Sequence, residues 1–292
     1  MSLTSFLEIR DVKEVFKQFK MPLFKIQVEL LAPPLTKHYA LVGTAFDYLL
    51  RFYIKHINPN TIEQEWVSEV SLRLLEMRQL PPELREETIK EDPALYDPTV
   101  YEKVTEIVED AKKVYNEFLK KGTMGSDLFK AVLLLAQVDV ITRAGIVDKN
   151  LGNIDQEDIK DLGNLISIVK PKYFKAKEIC ILNPTFGKAS QLVGGADCDL
   201  VIDDAIIDIK TTKKLELTKR YFNQLIGYYT LQKIGGIDSM PSNCEIKRLG
   251  IYFSRYAYLY FIDVQDIIRE NTFPNFIEWF KKRASEKYGL HI

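Results

Sequence analysis

Four charged residues lie on two short apolar runs, with a spacing that suits metal-assisted hydrolysis. The runs flank Asp203-Asp204, a pair that favours a two-residue turn. A hairpin centred on this turn pairs Asp199 with Asp208 and Asp197 with Lys210. Because side chains alternate along a strand, the four charged residues share one face of the hairpin. The other face is apolar and has the composition of a core: Leu200, Ile202, Ile207 and Ile209.

The facing acids Asp199 and Asp208 need a compensating positive charge. Directly opposed residues in a hairpin have Cβ atoms about 4.5–5.5 Å apart, a distance at which two carboxylates repel. Carboxylate oxygens suit a hard cation such as Mg²⁺ or Mn²⁺. Lys210, two residues after Asp208, can hold an attacking water or stabilise a pentavalent phosphate. The pattern predicts phosphodiester hydrolysis; the alternative is a solvated strand face with alternating charges.

The helix predicted after the hairpin carries two further candidates. Gln224 and Tyr228 are four residues apart and therefore lie on one helical face. They are placed to contact a phosphate or a base; alternatively, the tyrosine lies on the sheet and the glutamine caps the sheet edge. Basic residues near the motif are candidates for contacts with backbone phosphates. They are Lys170, Lys172, Lys175, Lys177, Lys213, Lys214, Lys219 and Arg220.

The string GGADCDLVIDDAIIDIKTTK, followed by QLIGYY, resembles the PD-(D/E)xK nuclease superfamily, in particular its RecB-like branch. The resemblance implies that Asp199 and Asp208 are metal ligands, that the backbone carbonyl of Ile209 completes the metal shell, and that Lys210 is the catalytic lysine. Gln224 and Tyr228 match the Gln-x-x-x-Tyr motif of that branch, which here is assigned to nucleic-acid binding together with Lys213 and Lys214.

An upstream helix in RecB-like nucleases carries Gly-x-x-x-His, with the histidine facing the metal. The sequence after Gly43 has this form, but Asp47 occupies the histidine position. By resemblance Asp47 is a third metal-binding carboxylate; the alternative is an exposed helical aspartate. The cysteine cluster that binds iron–sulfur in some relatives is missing, so no iron–sulfur cluster is expected. No Gly-x-x-x-x-Gly-Lys-Ser/Thr helicase motif occurs.

The elements that must position these residues change character along the chain. After an amphipathic segment at 6–19, helical periodicity is predicted for 39–56, 62–78, 98–121, 126–144 and 156–169. Strands are predicted at 178–182, 196–202, 205–210, 248–254 and 257–264, and helices at 218–233 and 273–287. The resemblance implies an α/β fold with a restriction-endonuclease-like core, a central mixed sheet flanked by helices, and a large helical insertion. The predicted regions are 1–60 (N-terminal segment and first core helix), 61–169 (insertion) and 170–292 (nuclease core).

Composition limits the class of protein and its partners. The chain has 292 residues and a net charge of −1, which excludes nucleic-acid binding by bulk charge but permits a local basic surface. No apolar run approaches the roughly 18 residues of a membrane span. The start has acids where an export signal needs an apolar core. Three scattered cysteines, Cys180, Cys198 and Cys244, fit a reducing compartment, so the expected location is cytoplasmic.

The functional hypothesis is a divalent-metal-dependent nuclease that uses Mg²⁺ or Mn²⁺. DNA is the expected substrate, with RNA as an alternative, and the resemblance implies products with 5′-phosphate ends. Two other functions remain open at this point. One is an inactive nuclease-fold protein that binds nucleic acid or a protein partner, and the other is a metal-dependent hydrolase of small phosphate substrates. The sequence indicates no membrane partner and no particular oligomeric state.

Overall fold

A mixed sheet of six strands is the centre of the fold in the computed structural model, which describes residues 2–81, 92–241 and 243–289. The strands are Ile62–Glu63 (β1), Cys180–Leu182 (β2), Leu200–Ile202 (β3), Ala205–Lys210 (β4), Arg248–Phe253 (β5) and Tyr258–Asp263 (β6). Their order in the sheet is β1 to β6, as in the chain. Two pairs, β1–β2 and β4–β5, are parallel, and the other neighbours are antiparallel.

Helices cover both faces of this sheet. Within the described residues they are Leu3–Leu7 (α1), Arg10–Phe16 (α2), Tyr39–Ile57 (α3), Val67–Arg78 (α4), Pro98–Lys121 (α5), Ser126–Ala144 (α6), Gln156–Ser167 (α7), Lys188–Leu192 (α8), Lys219–Gly235 (α9), Val264–Ile267 (α10) and Phe273–Tyr288 (α11). The coarse expectation of an α/β protein with a mixed sheet flanked by helices is therefore confirmed.

Two hydrophobic cores lie on opposite faces of the central strands. Leu200 and Ile207 pack on one face with α3 to α7. Val201 and Ile206 pack on the other face with α1, α2, α9 and α11. Because both faces are covered, the central strands are apolar almost throughout rather than alternating. The interpretation of the charged residues as a solvated strand face is wrong for Asp208, which is 1% exposed.

The β3–β4 hairpin has the predicted turn and register. Leu200 pairs with Ile207, and Ile202 with Ala205. Asp203 adopts a positive φ of 51°, a conformation that aspartate tolerates better than most residues. Its carboxylate also accepts hydrogen bonds from the backbone N–H groups of 177–179. These bonds outweigh desolvation and lower the pKa of Asp203, so the turn residue also anchors the chain that leads into β2.

The segment predicted as one helix over 62–78 contains a strand and a shorter helix. Ile62 pairs in parallel with Ile181 of β2, so it extends the sheet. The helix α4 begins only after Trp66, whose backbone N–H donates to Glu69 Oε2 at 2.8 Å. Helical periodicity in the sequence did not reveal the strand because its partner, β2, lies more than a hundred residues later in the chain.

The helices of 61–169 pack against α3, and α3 packs most extensively against α6. One hydrophobic cluster includes α3 to α7 and one face of the sheet, with Tyr48, Phe52 and Leu133 among its fully buried residues. The boundaries proposed for a helical insertion stay a prediction, since a shared core does not divide the chain into regions.

Candidate functional site

Asp208 and Lys210 lie on the same side of β4, near the strand's last residue. The Lys210 Nζ is 2.6 Å from Asp208 Oδ2, and their side chains are 18% and 2% exposed. Asp208 shares a strand face with Ile206, so both charged side chains project toward α9. The structure therefore brings together the acid and the amine that the motif predicts.

Asp199 lies immediately before β3, and its carboxylate takes the place of a backbone carbonyl as a hydrogen-bond acceptor for β4. Its Oδ2 accepts the Ile209 N–H at 2.5 Å. Its backbone carbonyl accepts the Asn183 N–H at 2.9 Å, on the opposite side of the chain. At this point β3 diverges from β4, which places the Asp199 carboxylate beside the backbone that joins Asp208 to Lys210.

The predicted pairing of Asp197 with Lys210 is wrong. Asp197 forms an isolated antiparallel bridge with Thr185. The neighbouring Cys198 N–H donates to Pro184 O at 3.1 Å, so the chain before Asp199 follows the segment after β2 and not β4. The ordered ladder between β3 and β4 ends at the pair Leu200 and Ile207. The hairpin is consequently shorter than the alternation of its side chains suggested.

Asp199 and Asp208 lie in surroundings that disfavour two negative charges. Burial, together with the negative charges of Asp208 and Asp47, raises the pKa of Asp199 well above its ordinary value, against the opposing effects of Lys210 and the Ile209 N–H. Burial raises the pKa of Asp208, Lys210 opposes this, and Asp47 adds to it. Burial lowers the pKa of Lys210, but Asp208 and Asp199 outweigh burial and raise it. The two acids therefore keep Lys210 protonated, but its single positive charge does not balance two carboxylates.

Asp47 comes from α3, on the opposite sheet face from α9. Its Oδ2 accepts from Arg51 Nη2 at 2.6 Å, while its buried Oδ1 has no hydrogen-bond partner among the described residues. The negative charge of Asp47 contributes to the raised pKa values of Asp199 and Asp208. In the part of the chain that the structure describes, however, no three His, Cys, Asp or Glu side chains converge as a metal-binding group. The ligand role of Asp47 stays a prediction.

The donor set that remains is compatible with a hard divalent cation. Asp208 supplies a buried carboxylate and Asp199 a partly buried one, and one lysine does not fully compensate their charge. Ile209 joins Asp208 to Lys210 in β4, and its N–H is bound to Asp199. The ligand role of the Ile209 carbonyl stays a prediction.

Gln224 and Tyr228 lie on α9 and form a chain of hydrogen bonds that ends at Lys210. The Lys210 Nζ donates to Gln224 Oε1 at 3.2 Å, and Gln224 Nε2 donates to the Tyr228 hydroxyl at 2.7 Å. Tyr228 is 5% exposed and stacks on Phe186. A buried ring of this kind does not offer a surface for a base. These contacts favour positioning of Lys210 over the nucleic-acid contact predicted for Tyr228.

The predicted basic residues lie in separate places, with Lys219 and Arg220 at the start of α9. Lys213 and Lys214 are exposed in the segment that follows β4, and the Tyr256 hydroxyl anchors it by donating to Lys213 O at 2.7 Å. Their contact with nucleic acid stays a prediction. The Lys177 N–H, by contrast, is bound to Asp203, five residues before Asp208 and about 17 Å away along the strand. The backbone of Lys177 therefore lies at the opposite end of β4 from the site, and contacts of the lysines in 170–177 with a substrate stay a prediction.

A buried polar network between α3 and α6 was not identified from the sequence. The Tyr48 hydroxyl donates to Asp139 Oδ1 at 2.7 Å, and Arg143 Nε lies 3.6 Å from Asp139 Oδ2. Burial raises the pKa of Asp139 to about 6, with Tyr48, Arg143 and Arg51 opposing the shift. The available signal was an acid in the long apolar run of α6, a position where a carboxylate is unfavourable.

Comparison with known proteins does not add a family. The chain matches no protein-family model, no curated protein and no solved structure. Among the helices of the described residues, none is long and apolar enough to cross a lipid bilayer. Function must therefore be argued from the geometry of the site.

Proposed function

We propose that this protein is a divalent-metal-dependent nuclease with a restriction-endonuclease-like core. The observation that carries the proposal is the group formed by the buried Asp208 with the partly buried Asp199 and Lys210, at the point where β3 diverges from β4. Placing two acids, one of them fully buried, beside one lysine is costly for folding, because one cation does not compensate two carboxylates. Such a cost is typical of a site that binds a cation and performs chemistry.

Asp199, Asp208 and the carbonyl of Ile209 would hold Mg²⁺ or Mn²⁺, which supplies an activated water and polarises the phosphate. Lys210 stays protonated between the two acids. It can therefore neutralise charge that develops on the phosphate oxygens during in-line attack. Gln224 holds the Lys210 ammonium from the side of α9.

DNA is the substrate that we assign, with 5′-phosphate products, on the resemblance of the motif to RecB-like nucleases. Lys213 and Lys214 follow β4 directly and are exposed, so they are placed for contacts with backbone phosphates near the site. With a net charge of −1, binding depends on such local groups and not on the charge of the whole protein.

The decisive experiment is cleavage of linear double-stranded, circular and single-stranded DNA in Mn²⁺, with EDTA as the control. RNA and mononucleotides form separate arms, so that a ribonuclease or a small-phosphate hydrolase is recognised by its own product. Asp208→Asn and Lys210→Ala should each lower cleavage by orders of magnitude while the fold remains intact. Asp110→Asn, at an exposed position of α5, is the matched control and should retain activity.

Two outcomes would contradict the proposal. Undiminished cleavage in either Asp208→Asn or Lys210→Ala would show that the activity belongs to another site or a contaminant. DNA binding without metal-dependent cleavage, unchanged by Asp199→Ala, would identify a binding protein instead. Calorimetry with Mn²⁺ distinguishes the nuclease from the binding protein. The nuclease should lose metal affinity in Asp199→Ala, whereas a binding protein has weak affinity or none to lose.

A further inference from the structure

A cavity of about 760 Å³ lies between the first turn of α3, the end of α6 and the start of α7. Its size is within the range of small-molecule sites, about 300–1,000 Å³. Its lining combines apolar side chains such as Leu41 and Val140 with polar ones such as Gln137 and Asp139. It can therefore accommodate a planar group that also makes hydrogen bonds.

The cavity is close to the candidate metal site. Thr44 lines it and lies three residues before Asp47, on the same side of α3. Arg143 also lines the cavity, and it interacts electrostatically both with Asp139 in the lining and with acids near the candidate metal site. Burial lowers the pKa of Arg143, but the carboxylates of Asp139, Asp197 and Asp47 outweigh burial and raise it. A ligand in the cavity would therefore lie within electrostatic range of the acids on α3 and before β3.

Asp139 is the polar group in this lining that lacks a complete set of partners. It is 1% exposed. Its Oδ1 accepts from Tyr48, but its buried Oδ2 has no hydrogen-bond partner within the described residues, since Arg143 Nε is 3.6 Å away. The ion pair with Arg143 leaves this buried oxygen without a hydrogen bond, which is unfavourable, and an N–H donor from a ligand would supply the missing bond.

The charges of the lining favour a base over a phosphate. Asp139, Asp148, Asp155 and Asp158 line the cavity, and the cationic side chains in the described lining are Lys37, Arg143 and, when protonated, His38. An excess of carboxylates repels a phosphate group but accepts the N–H groups of a nucleobase. Exposed Tyr39 at the same cavity offers an aromatic face for stacking.

We propose that this cavity binds one unpaired nucleobase of the substrate strand, with Asp139 Oδ2 accepting a hydrogen bond from an N–H group of the base. The proposal rests on the proposed nuclease function, because it places the base beside the phosphate to be cut. Asp139 is then a specificity residue, and the base must leave its duplex partner to be read.

Binding of a short single-stranded oligonucleotide that contains one 2-aminopurine tests this without catalysis. The full chain is titrated in EDTA, and both the affinity and the 2-aminopurine fluorescence are measured. Binding in the cavity should unstack the probe and raise its fluorescence. Asp139→Asn turns an acceptor into a donor at the free position, and it should weaken binding on the order of 10- to 100-fold.

A second variant and a control make the result specific. Ala40→Trp places a bulky ring at an exposed lining position of the cavity, and it should also weaken binding and suppress the fluorescence change. Asp127→Asn, at an exposed position in the first turn of the same helix as Asp139, should bind as the unmodified protein does. Melting temperatures measured alongside show whether each variant is folded.

Two results would overturn the inference: wild-type affinity in both Asp139→Asn and Ala40→Trp, or no binding of the probe by the unmodified protein. Either result can occur while Mn²⁺-dependent cleavage still requires Asp208, in which case the nuclease proposal survives alone. Conversely, probe binding that depends on Asp139 in a protein without cleavage activity supports the cavity and removes the nuclease. The two proposals therefore fail separately.

Discussion

Replacing Asp139 by asparagine should stabilise the protein at neutral and alkaline pH. Asp139 is buried, and its pKa is raised from an ordinary value of 3.8 to about 6. An acid with a raised pKa is more easily protonated in the folded than in the unfolded state. Folding therefore carries no penalty below pH 3.8, and the penalty grows as the pH rises until it is complete above about pH 6. Asparagine has the same shape without the charge, and its Oδ1 can still accept from Tyr48.

The size of the effect follows from the two pKa values. A shift of about 2 units corresponds to about 3 kcal/mol at full ionisation. The penalty is about 1 kcal/mol at about pH 4.5 and about 3 kcal/mol at about pH 8. The gain in unfolding free energy from Asp139→Asn should thus grow by about 2 kcal/mol over this range. Any constant difference in hydrogen bonding between the two side chains cancels in this comparison.

Urea denaturation at a series of pH values measures the gain. Tryptophan fluorescence reports unfolding, since Trp66 is buried in the hydrophobic cluster that includes α3 to α7. The unfolding free energy depends linearly on urea concentration and is extrapolated to zero urea. Asp127→Asn, exposed on the same helix, is the control and should show no such trend. A gain that does not change with pH, or one that decreases as the pH rises, would refute the assigned burial cost of Asp139.

Three further predictions concern the site and the core. Millimolar Mg²⁺ should raise the melting temperature of the unmodified protein by mass action, and this increase should disappear in Asp199→Asn; an equal increase in both proteins would argue against the metal site. Gln224→Met should lower cleavage about 10-fold or more, because it removes the hydrogen bonds to Lys210 and to the Tyr228 hydroxyl; unchanged rates in a variant that melts as a folded protein would exclude a positioning role. Arg255→Met should cost about 3–5 kcal/mol of unfolding free energy, because it leaves the fully buried Asp161 without its paired guanidinium. Chemical denaturation tests the last prediction, and a loss below 1 kcal/mol would contradict it.

Helices with strong local end signals were predicted with the correct bounds. The helix α5 begins after Asp97, whose side chain caps the Thr99 N–H, and has proline at its first position. Gly122 follows the last residue of α5 and Gly145 that of α6, both with a positive φ. These signals lie within a few residues of each helix end, so the sequence alone is sufficient to place the end.

Strand limits were predicted less well because they depend on distant partners. The run before Asp199 alternates like a strand, yet it leaves β4 and follows the segment that contains Thr185. Ile62 belongs to a strand because β2 lies beside it. Neither partner is near in sequence, so local pattern could not decide between the possibilities.

The sequence alone determined which residues belong to the motif, since the turn at Asp203 and the alternation along β4 bring Asp199 close to Asp208 and Lys210. Only the tertiary structure decided which sheet face α9 covers, and therefore that Gln224 contacts Lys210 and is itself held by Tyr228. It also decided that α6 brings a buried acid to the cavity beside α3. The physical reason is range: strand alternation and turns act between neighbours, whereas burial and electrostatic coupling depend on helices and strands that are far apart in the chain.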